Sequence, residues 1–454
     1  MKVLLIRPWG LADEVIPPLG LGYLAAAIRS RHEVRILDAL RDRVLPEALG
    51  PALSWQPAVV GLTLFSKELL LARRYLEAIK RRLPSALTLI GGAHPGSDAG
   101  RVFLQFPEHL DYAFAGEAET SFPLFLDARE SGTFSPASIP GLIWRNGKEG
   151  VVNPRVFPDR LDRFSCAWDL IPPASYPPLP HGAFYRGFPI APVIITRGCP
   201  CPCTFCSVHL TNGDRIRSRS LPHVLAEWEL LQRDFGVKEF HIEDDNFTSR
   251  RSFVQDFCRE IITRRWRISW TCPNGVRLDT LDETTLRLMR ASGCYVLSVG
   301  IESGSDRVLK IMQKHLTTET IREKVGLIRR CGIAVSGFFL IGYPGEPRQE
   351  LLRTFSFSRS LPLDRATYSF FQPFPGSILA ASLPPIDLVR EDLNLHRISF
   401  LPDGMTARDL RRLRQHALLR FYFRPRILWQ MLRNLRSFRH LLGIARRAYR
   451  WLKA

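Results

Sequence analysis

Three cysteines near the middle of the chain have the residue type and the spacing to hold an inorganic cluster. Cys199, Cys203 and Cys206 lie within eight residues and come directly after a predicted buried strand. Thiolates are the natural ligands of iron–sulfur clusters. Three of them can hold three irons of a [4Fe–4S] cluster and leave the fourth iron open to a bound amine and carboxylate. A zinc ion with His209 as the fourth ligand is the alternative.

The pattern around these cysteines resembles the radical S-adenosylmethionine (radical SAM) superfamily. The match is Cys-x3-Cys-x-aromatic-Cys, with Phe205 as the aromatic residue. The resemblance implies that Cys199, Cys203 and Cys206 ligate a [4Fe–4S] cluster. It also implies that Phe205 presents its backbone to the adenine of S-adenosylmethionine. Cys201 is an extra cysteine that the family pattern does not use.

Four later segments lie at the ends of predicted strands and resemble the same superfamily. These segments are residues 241–247, 299–304, 337–346 and 371–376. The resemblance implies contacts to S-adenosylmethionine from Glu243, Asp245, Glu302, Ser303, Leu340 and Gln372. Asn274 and Arg277, which follow the third strand, are further candidates.

The acidic segment after the second strand has an alternative interpretation that needs no ligand. Glu243, Asp244 and Asp245 would instead cap the helix that follows, because carboxylates accept hydrogen bonds from free N–H groups at a helix start. They would also be able to pair with Arg250 or Arg251.

Residues 1–150 alternate short apolar strands with amphipathic helices, which is typical of a doubly wound parallel sheet. We predict strands at residues 2–6, 33–37, 58–63, 88–90 and 112–115. Glycines and small polar residues follow these strands, and that edge of a parallel sheet forms a ligand crevice. The segment contains neither Gly-x-Gly-x-x-Gly nor a Walker A sequence, so no phosphate-binding fingerprint accounts for the crevice.

Taken together, these segments resemble the cobalamin-binding domain of B12-dependent radical SAM enzymes, and the resemblance covers about residues 1–385. It implies cobalamin contacts from Leu19, Gly20, Thr63, Ser66, Gly91, Gly92 and Glu117. The Asp-x-His-x-x-Gly motif, whose histidine binds cobalt in classical mutase domains, is absent. We interpret His94 as a turn residue rather than a cobalt ligand. Methylthiotransferases are set aside because residues 1–150 contain no cysteine for a second cluster.

The second half of the chain predicts a partial barrel. Strands are expected at residues 193–196, 239–243, 268–272, 296–301, 334–341 and 367–371. Six βα units in about 190 residues suit a (β/α)6 arrangement better than a closed eightfold barrel. The expected α/β architecture is therefore a Rossmann-like cobalamin-binding domain (1–150), an ordered linker (151–190), a radical SAM partial barrel (191–385) and a basic helical C-terminal region (386–454).

The C-terminal region is strongly basic. The chain of 454 residues has a formal net charge of +19, and residues 406–454 hold 13 Arg and one Lys against a single acid. From Pro425 onward an apolar residue recurs every three or four positions, which predicts one helix with an apolar face. Such a helix packs on the barrel, lies on an anionic membrane or binds nucleic acid. Of these partners, nucleic acid is the one we do not expect.

Composition and segment lengths favour a packed cytoplasmic protein. Apolar residues make up 45% of the chain and charged residues 24%, which excludes disorder over most of its length. No apolar run reaches the ~20 residues that span a bilayer, and the N-terminus lacks the apolar core of a secretory signal. We therefore expect a cytoplasmic location, with peripheral contact to a membrane through the C-terminal helix.

The resemblance also implies a reaction. The reduced cluster would cleave S-adenosylmethionine to a 5′-deoxyadenosyl radical, which removes hydrogen from an unactivated carbon. Methylcobalamin would then methylate the substrate radical, and a second S-adenosylmethionine would remethylate the cobalt. The expected partners are a small-molecule or lipid-like substrate and an external electron donor of the flavodoxin or ferredoxin type. Cyclisation, oxidation or rearrangement without methyl transfer is one alternative, and a sensing protein with an inert cluster is another.

Overall fold

Two largely parallel sheets, one in each half of the chain, define the α/β architecture. The computed structural model describes residues 1–10, 15–147, 149–178, 185–384, 386–388, 393–395, 397–435 and 437–453. The N-terminal sheet consists of β1 (Lys2–Arg7), β2 (Glu33–Asp38), β3 (Val59–Thr63), β4 (Leu87–Gly91), β5 (Tyr112–Phe114), β6 (Leu142–Asn146) and β7 (Glu149–Val152). Its helices are α1 (Leu19–Ile28), α2 (Ala39–Asp42), α3 (Gly50–Leu53), α4 (Leu69–Arg82), α5 (Ala93–Ser97), α6 (Val102–Gln105) and α7 (Ser121–Ser131).

The order of the N-terminal strands creates a crevice. The sheet runs β2-β1-β3-β4-β5-β6-β7, and its first five strands are parallel. Because the chain reverses direction across the sheet between β1 and β3, the carboxyl ends of these strands leave an opening at the switch point. The antiparallel hairpin β6–β7 was not predicted, and β7 crosses the boundary expected at residue 150.

The second sheet is an open partial barrel, as predicted. Its strands and a short side ladder are β8 (Ile190–Val193), β9 (Thr196–Arg197), β10 (Arg217–Ser218), β11 (Glu239–Ile242), β12 (Ser269–Val276), β13 (Cys294–Glu302), β14 (Ala334–Ile341) and β15 (Arg365–Phe370). Six of them pair in parallel in the order β15-β14-β13-β12-β11-β8. Strands β9 and β10 form a separate antiparallel ladder.

Helices cover the outside of this barrel. After α8 (Val208–Asn212), which lines the cavity and contacts α5, they are α9 (Leu221–Phe235), α10 (Arg251–Thr263), α11 (Glu283–Ala291), α12 (Asp306–Ile311), α13 (Thr318–Arg330) and α14 (Arg348–Ser360). Their apolar faces pack on the outward side chains of the strands. Trp228 of α9, for example, stacks on Phe240 of β11 with 3.9 Å between the ring centroids. Strand residues that alternate with these outward ones therefore point into the barrel.

The C-terminal region forms three helices, α15 (Ala407–Tyr422), α16 (Pro425–Arg433) and α17 (Phe438–Lys453). The expectation of one helix from Pro425 onward was wrong. Asn434 ends α16, and Ser437 starts α17 by accepting a hydrogen bond from the backbone N–H of His440. A serine at this position favours a new helix start because its hydroxyl satisfies a free N–H group. Within the described residues, no helix is both long and apolar enough to cross a membrane.

A buried arginine attaches α15 to the barrel. Arg414 is 1% exposed, and its Nε donates a hydrogen bond to the backbone oxygen of Tyr368 on β15 at 2.9 Å. Its guanidinium also lies 5.0 Å from the ring centroid of Phe370. The linker is attached in a similar way, because the buried Trp168 donates to Glu227 of α9 at 3.0 Å. Residues 179–184 of the linker lie outside the described residues.

Ion pairs join the two halves of the chain. Arg197 contacts Glu117 at 3.1 Å and Glu119 at 2.7 Å, and Arg217 contacts Glu117 at 2.5 Å. All four side chains are less than 10% exposed. Both carboxylates follow β5, whereas both arginines belong to the β9–β10 ladder of the barrel. These contacts therefore fix the crevice of the first sheet against the start of the second.

Replacement of Glu117 by Gln should destabilise the chain strongly. The amide leaves the buried guanidinium of Arg217 without its charge partner and leaves Arg197 with Glu119 alone, and the loss of one partner from a buried pair costs about 3–5 kcal/mol. Urea denaturation of the purified protein measures the change. Glu130→Gln is the control, since it removes only the exposed partner of the N-terminal amine and should cost less than about 0.5 kcal/mol. Equal losses for the two variants would contradict this account.

Candidate active site

One cavity of about 2000 Å³ lies between the carboxyl ends of the two sheets. Its N-terminal wall includes Leu19, Gly20, Thr63, Ser66, Gly91, Gly92 and Glu117. Its barrel wall includes Phe205, Cys206, Glu243, Asp245, Glu302, Leu340 and Gln372. Residues expected to contact two different cofactors thus line one continuous space. Ser303 and the further candidate Arg277 lie outside this wall.

Two aspartates after β11 hold the cysteine loop. Asp244 accepts hydrogen bonds from the backbone N–H groups of Ile195 and Thr196, each at 2.7 Å. Asp245 accepts one from the N–H of Gly198 at 3.2 Å and one from the Asn212 amide at 2.8 Å. The capping alternative is wrong for these two residues, because no side chain caps the start of α10.

The loop turns sharply at Gly198, immediately before the first cysteine. Its φ is +91°, and a Cβ atom there would lie 2.2 Å from the backbone oxygen of Arg215. Only glycine fits this combination of backbone angle and close approach. The turn directs residues 199–207 away from β9 and toward the cavity, where Cys206 forms part of the wall.

The chemistry of the loop suits an iron–sulfur cluster. Cys199, Cys203 and Cys206 are all free and partly buried. Burial raises the pKa of the Cys206 thiol to about 11, so this thiol keeps its proton until a metal displaces it. Burial also raises the pKa of Cys203, while the nearby cations Lys314 and Arg277 act in the opposite direction. Positive charge beside the loop stabilises thiolates and an anionic cluster.

The arrangement of the side chains around the cysteine loop does not support a mononuclear zinc site. Among the residues that the structure describes, no three His, Cys, Asp or Glu side chains converge on a position for one metal ion. The cysteines of a [4Fe–4S] cluster bind separate irons and need no such common point. The extra cysteine, Cys201, has a hydrogen bond to the side chain of Cys199.

Glu302 combines a strained backbone with a buried ion pair. It ends β13 beside a register shift, and its φ of +65° is rare for a residue other than glycine. Its Oε1 accepts a hydrogen bond from Nζ of Lys314 at 2.8 Å. Burial lowers the pKa of Lys314, but the charges of Glu302 and Cys203 and the hydrogen bond to Glu302 together outweigh it and raise that pKa above the ordinary value. Lys314 therefore stays protonated. Backbone strain of the kind seen at Glu302 is typical of functional sites.

Two other predicted S-adenosylmethionine contacts differ in their placement. Ser303 is fully buried, and its hydroxyl lies 3.1 Å from that of Thr354, so it stabilises the turn after β13 instead of facing the cavity. Gln372 does face the cavity. Its amide nitrogen donates to the backbone oxygen of Arg397 at 2.6 Å, and within the described residues its buried Oε1 has no hydrogen-bond partner. This oxygen is an acceptor for a ligand N–H or O–H group.

Three glycines leave the backbone exposed on the wall of the N-terminal crevice. We call Gly20, Gly91 and Gly92 the glycine cradle. Gly20 and Gly91 line the cavity, and a Cβ atom added to either would have no neighbour within 4 Å. Gly92 has a φ of +98°, and a Cβ there would come within 2.9 Å of the Leu64 backbone oxygen. Glycines at these positions therefore expose backbone to a large flat ligand, which fits the corrin of cobalamin.

A hydrogen-bonded chain supports Ser66 from behind. Ser66 Oγ lies 3.0 Å from His94 Nδ1, and His94 Nε2 lies 2.7 Å from Gln105 Oε1. Gln105 Nε2 donates to Asp98, so its Oε1 accepts from His94 Nε2–H, and Nδ1 must accept from the serine hydroxyl. The oxygen of Ser66 is thereby an oriented acceptor on the cavity wall. His94 itself is fully buried and lies in the short helix α5 and not in a turn, and it is not among the residues that line the cavity.

Glu117, an expected cobalamin contact, also takes part in ion pairs that the sequence did not indicate. Although the residue lines the cavity, both of its carboxylate oxygens bind Arg217, and Arg197 binds one of them as well. The sequence offered no sign of these partners, because they lie about 80 to 100 residues away and in the other half of the chain. Glu117 therefore connects the two halves of the chain.

Comparison with known proteins agrees with this geometry. The family model of the Radical SAM superfamily matches residues 193–358, and that of the B12 binding domain matches residues 11–126. The chain therefore contains a radical SAM domain. Because it also carries the B12 binding domain, this radical SAM protein is a cobalamin-dependent enzyme, and its cofactors are a [4Fe–4S] cluster, S-adenosylmethionine and cobalamin.

Relatives with curated names include methyltransferases and a cyclase. An uncharacterized methyltransferase of Pyrococcus horikoshii is 29% identical over all of this chain and 98% of its own length. Cytidylyl-2-hydroxyethylphosphonate methyltransferase of Streptomyces wedmorensis is 28% identical over 88% of this chain and 84% of its own. Anaerobic magnesium-protoporphyrin IX monomethyl ester cyclase of Cereibacter sphaeroides is 27% identical over 79% of this chain and 59% of its own.

Solved structures share the fold. The radical S-adenosylmethionine methyltransferase TsrM from Kitasatospora setae, with cobalamin and a [4Fe–4S] cluster bound, has a TM-score of 0.68 and 22% identity over 84% of this chain and 74% of its own. The cobalamin-dependent enzyme OxsB, with aqua-cobalamin and S-adenosylmethionine bound, has a TM-score of 0.68 and 17% identity over 79% of this chain and 52% of its own.

Substitution tests which of the four cysteines ligate the cluster. Anaerobically reconstituted Cys203→Ala should retain less than about a tenth of the wild-type iron, since cluster assembly depends on each thiolate ligand. Cys201→Ala is the matched control and should keep its iron, because Cys201 is not one of the three ligands. Iron and sulfide analysis measures both variants. A loss of iron in Cys201→Ala as large as that in Cys203→Ala would overturn the assignment.

The oriented hydroxyl of Ser66 should contribute to cobalamin binding. Ser66→Ala removes one hydrogen-bond acceptor, which predicts a dissociation constant for hydroxocobalamin about three- to tenfold higher. Absorbance titration of the full-length protein measures this constant. Ser131→Ala, at the exposed end of α7, provides the control and should leave it unchanged. An unchanged constant for Ser66→Ala would show that cobalamin does not contact this side of the crevice.

Proposed function

We propose that this radical SAM enzyme transfers a methyl group to an unactivated carbon of its substrate. The observation that carries the proposal is the shared cavity, in which the cysteine loop and the glycine cradle face one space. An enzyme that combines radical formation with methyl transfer needs both cofactors within reach of the same substrate atom. Methyltransferases among the relatives that cover most of the chain support the same conclusion.

When bound, the cofactors supply a 5′-deoxyadenosyl radical and a transferable methyl group, with electrons from an external donor of the flavodoxin or ferredoxin type. The chain's own residues position the reactants. Glu302, held by Lys314, places a fixed carboxylate at the end of β13. Gln372 offers its free amide oxygen from the end of β15. Phe205 and Leu340 form an apolar surface beside them that keeps water from the radical.

Hydroxyl and small side chains provide room for the substrate beneath these residues. Ser298, Ser336, Thr367 and Ser369 project from β13, β14 and β15 into the cavity. In a closed eightfold barrel, bulky branched side chains fill the corresponding space. We propose that the substrate occupies this lumen, with its reacting carbon toward the carboxyl ends of the strands.

Radical chemistry without methyl transfer is the second candidate. The cyclase of Cereibacter sphaeroides aligns with 79% of this chain, and the same cavity would serve a cyclisation, oxidation or rearrangement. The two functions differ in the fate of the methyl group. A methyltransferase converts one S-adenosylmethionine to S-adenosylhomocysteine, whereas the alternative reaction does not.

Product analysis of the reconstituted holoenzyme should decide between them. With hydroxocobalamin, reductant and S-adenosylmethionine, we expect both 5′-deoxyadenosine and S-adenosylhomocysteine, even without substrate. Mass spectrometry quantifies both, and the control omits cobalamin and should form only 5′-deoxyadenosine. Formation of 5′-deoxyadenosine alone in the complete mixture would contradict methyl transfer and favour the second candidate.

A further inference from the structure

The cavity continues through the barrel to the opposite end of its strands. Ala334 and Arg365, the first residues of β14 and β15, line the same space as Leu340 and Gln372 at their carboxyl ends. The small and hydroxyl-bearing side chains between them leave the lumen open. The barrel therefore has a second opening at the amino ends of its strands, which we call the lower mouth.

The C-terminal helices form the rim of this lower mouth. Phe423, Trp429 and Met431 line it from α16 and the residues before it, and Ile444 and Ala448 line it from α17. Their side chains are apolar, so the rim favours an apolar molecule. Arginines lie among them, with Arg433 5.0 Å from the ring centroid of Trp429. This arrangement suits an amphiphile that has an apolar body and an anionic group.

The outer sides of the same helices expose more apolar surface. On α16, Leu428, Trp429 and Leu432 are 40%, 58% and 66% exposed, and on α17, Phe438 and Leu442 are 72% and 40% exposed. Residues three or four positions apart share one helix face. We call these five side chains the C-terminal apolar face. At the start of the apolar stripe, Ile427 and Met431 pack against the core of the barrel.

The positive charge around the C-terminal apolar face indicates which kind of surface binds it. Exposed arginines occur on all three C-terminal helices, for example Arg412 on α15, Arg426 on α16 and Arg446 on α17. The only acid in residues 406–454, Asp409, is held in the capping box of α15. Basic helices with an exposed apolar face bind anionic bilayers, because the apolar side chains insert between lipids and the cations remain at the headgroups.

We propose that the C-terminal apolar face docks on an anionic bilayer and that the substrate is a membrane-resident amphiphile that enters the barrel through the lower mouth. The docking face and the rim belong to the same two helices, so the bound enzyme opens toward the lipid. The statement that the molecule in the lumen is the substrate rests on the proposed function. Docking on the bilayer and entry into the barrel do not rest on it, and both can be measured without turnover.

Vesicle flotation of the full-length protein tests the docking face. The protein should float with vesicles that contain phosphatidylglycerol, less so at high salt, and should not float with phosphatidylcholine alone. Leu428→Ser combined with Leu432→Ser should weaken binding about tenfold, because both side chains would otherwise be buried in lipid. Leu104→Ser combined with Leu124→Ser is the matched control, since those leucines are 66% and 47% exposed in the N-terminal half.

Three flotation results would overturn the docking proposal. One is equal binding to charged and uncharged vesicles, and another is equal binding by the two double variants. The third concerns nucleic acid. If a DNA duplex removes the protein from vesicles and the Leu428/Leu432 variant still binds that duplex tightly, the basic surface serves nucleic acid instead.

Photolabelling tests entry through the lower mouth. A diazirine-bearing fatty acid in phosphatidylglycerol vesicles should label residues 334–341 of the lumen as well as the C-terminal helices. Ala448→Trp narrows the rim, so it should lose most of the lumen label while its flotation is unchanged. Label confined to α16 and α17 in the wild-type protein would overturn entry. Formation of S-adenosylhomocysteine together with 5′-deoxyadenosine by the same preparation shows separately whether the proposed function holds.

Discussion

The buried ion pairs between the two halves of the chain are the constraint on which the rest of the site depends. Charges taken out of water are costly unless they meet in good geometry. Glu117 meets this condition by contacting Arg197 and Arg217 together. Arg197 stands two residues before the first cluster cysteine, and Glu117 follows the last parallel strand of the cobalamin crevice. This group of buried ion pairs therefore fixes two cofactor sites, which lie on separate sheets, against each other.

Within the barrel, the loop that carries the cysteines is held before any cofactor binds. Asp244 and Asp245 bind its backbone, and Gly198 provides a turn that no other residue fits. Glu302, at the end of β13, has a positive φ and a buried ion pair with Lys314. Residues fixed in this way need little rearrangement when ligands arrive, and such preorganisation is what a site for reactive radicals requires.

Local patterns in the sequence were sufficient to predict the architecture and most of the cavity wall. The cysteine spacing, the strand-end motifs and the glycines each depend on residues close together in the chain, so their placement follows once the strands are known. The partners of Glu117 and Glu302 could not be predicted, because Arg217 and Lys314 reach them only through the tertiary fold. The helix break before Ser437 was missed for a different reason, since an apolar repeat continues across it.

The central claim is that the two cofactor sites share one cavity, and a spin–spin distance measurement tests it most directly. Holoenzyme reduced so that both the cluster and cobalamin are paramagnetic would be examined by pulsed electron paramagnetic resonance. A shared cavity predicts clear dipolar coupling between the two spins in the wild-type protein. Two independent signals without coupling, in protein that contains both cofactors in full, would contradict the claim.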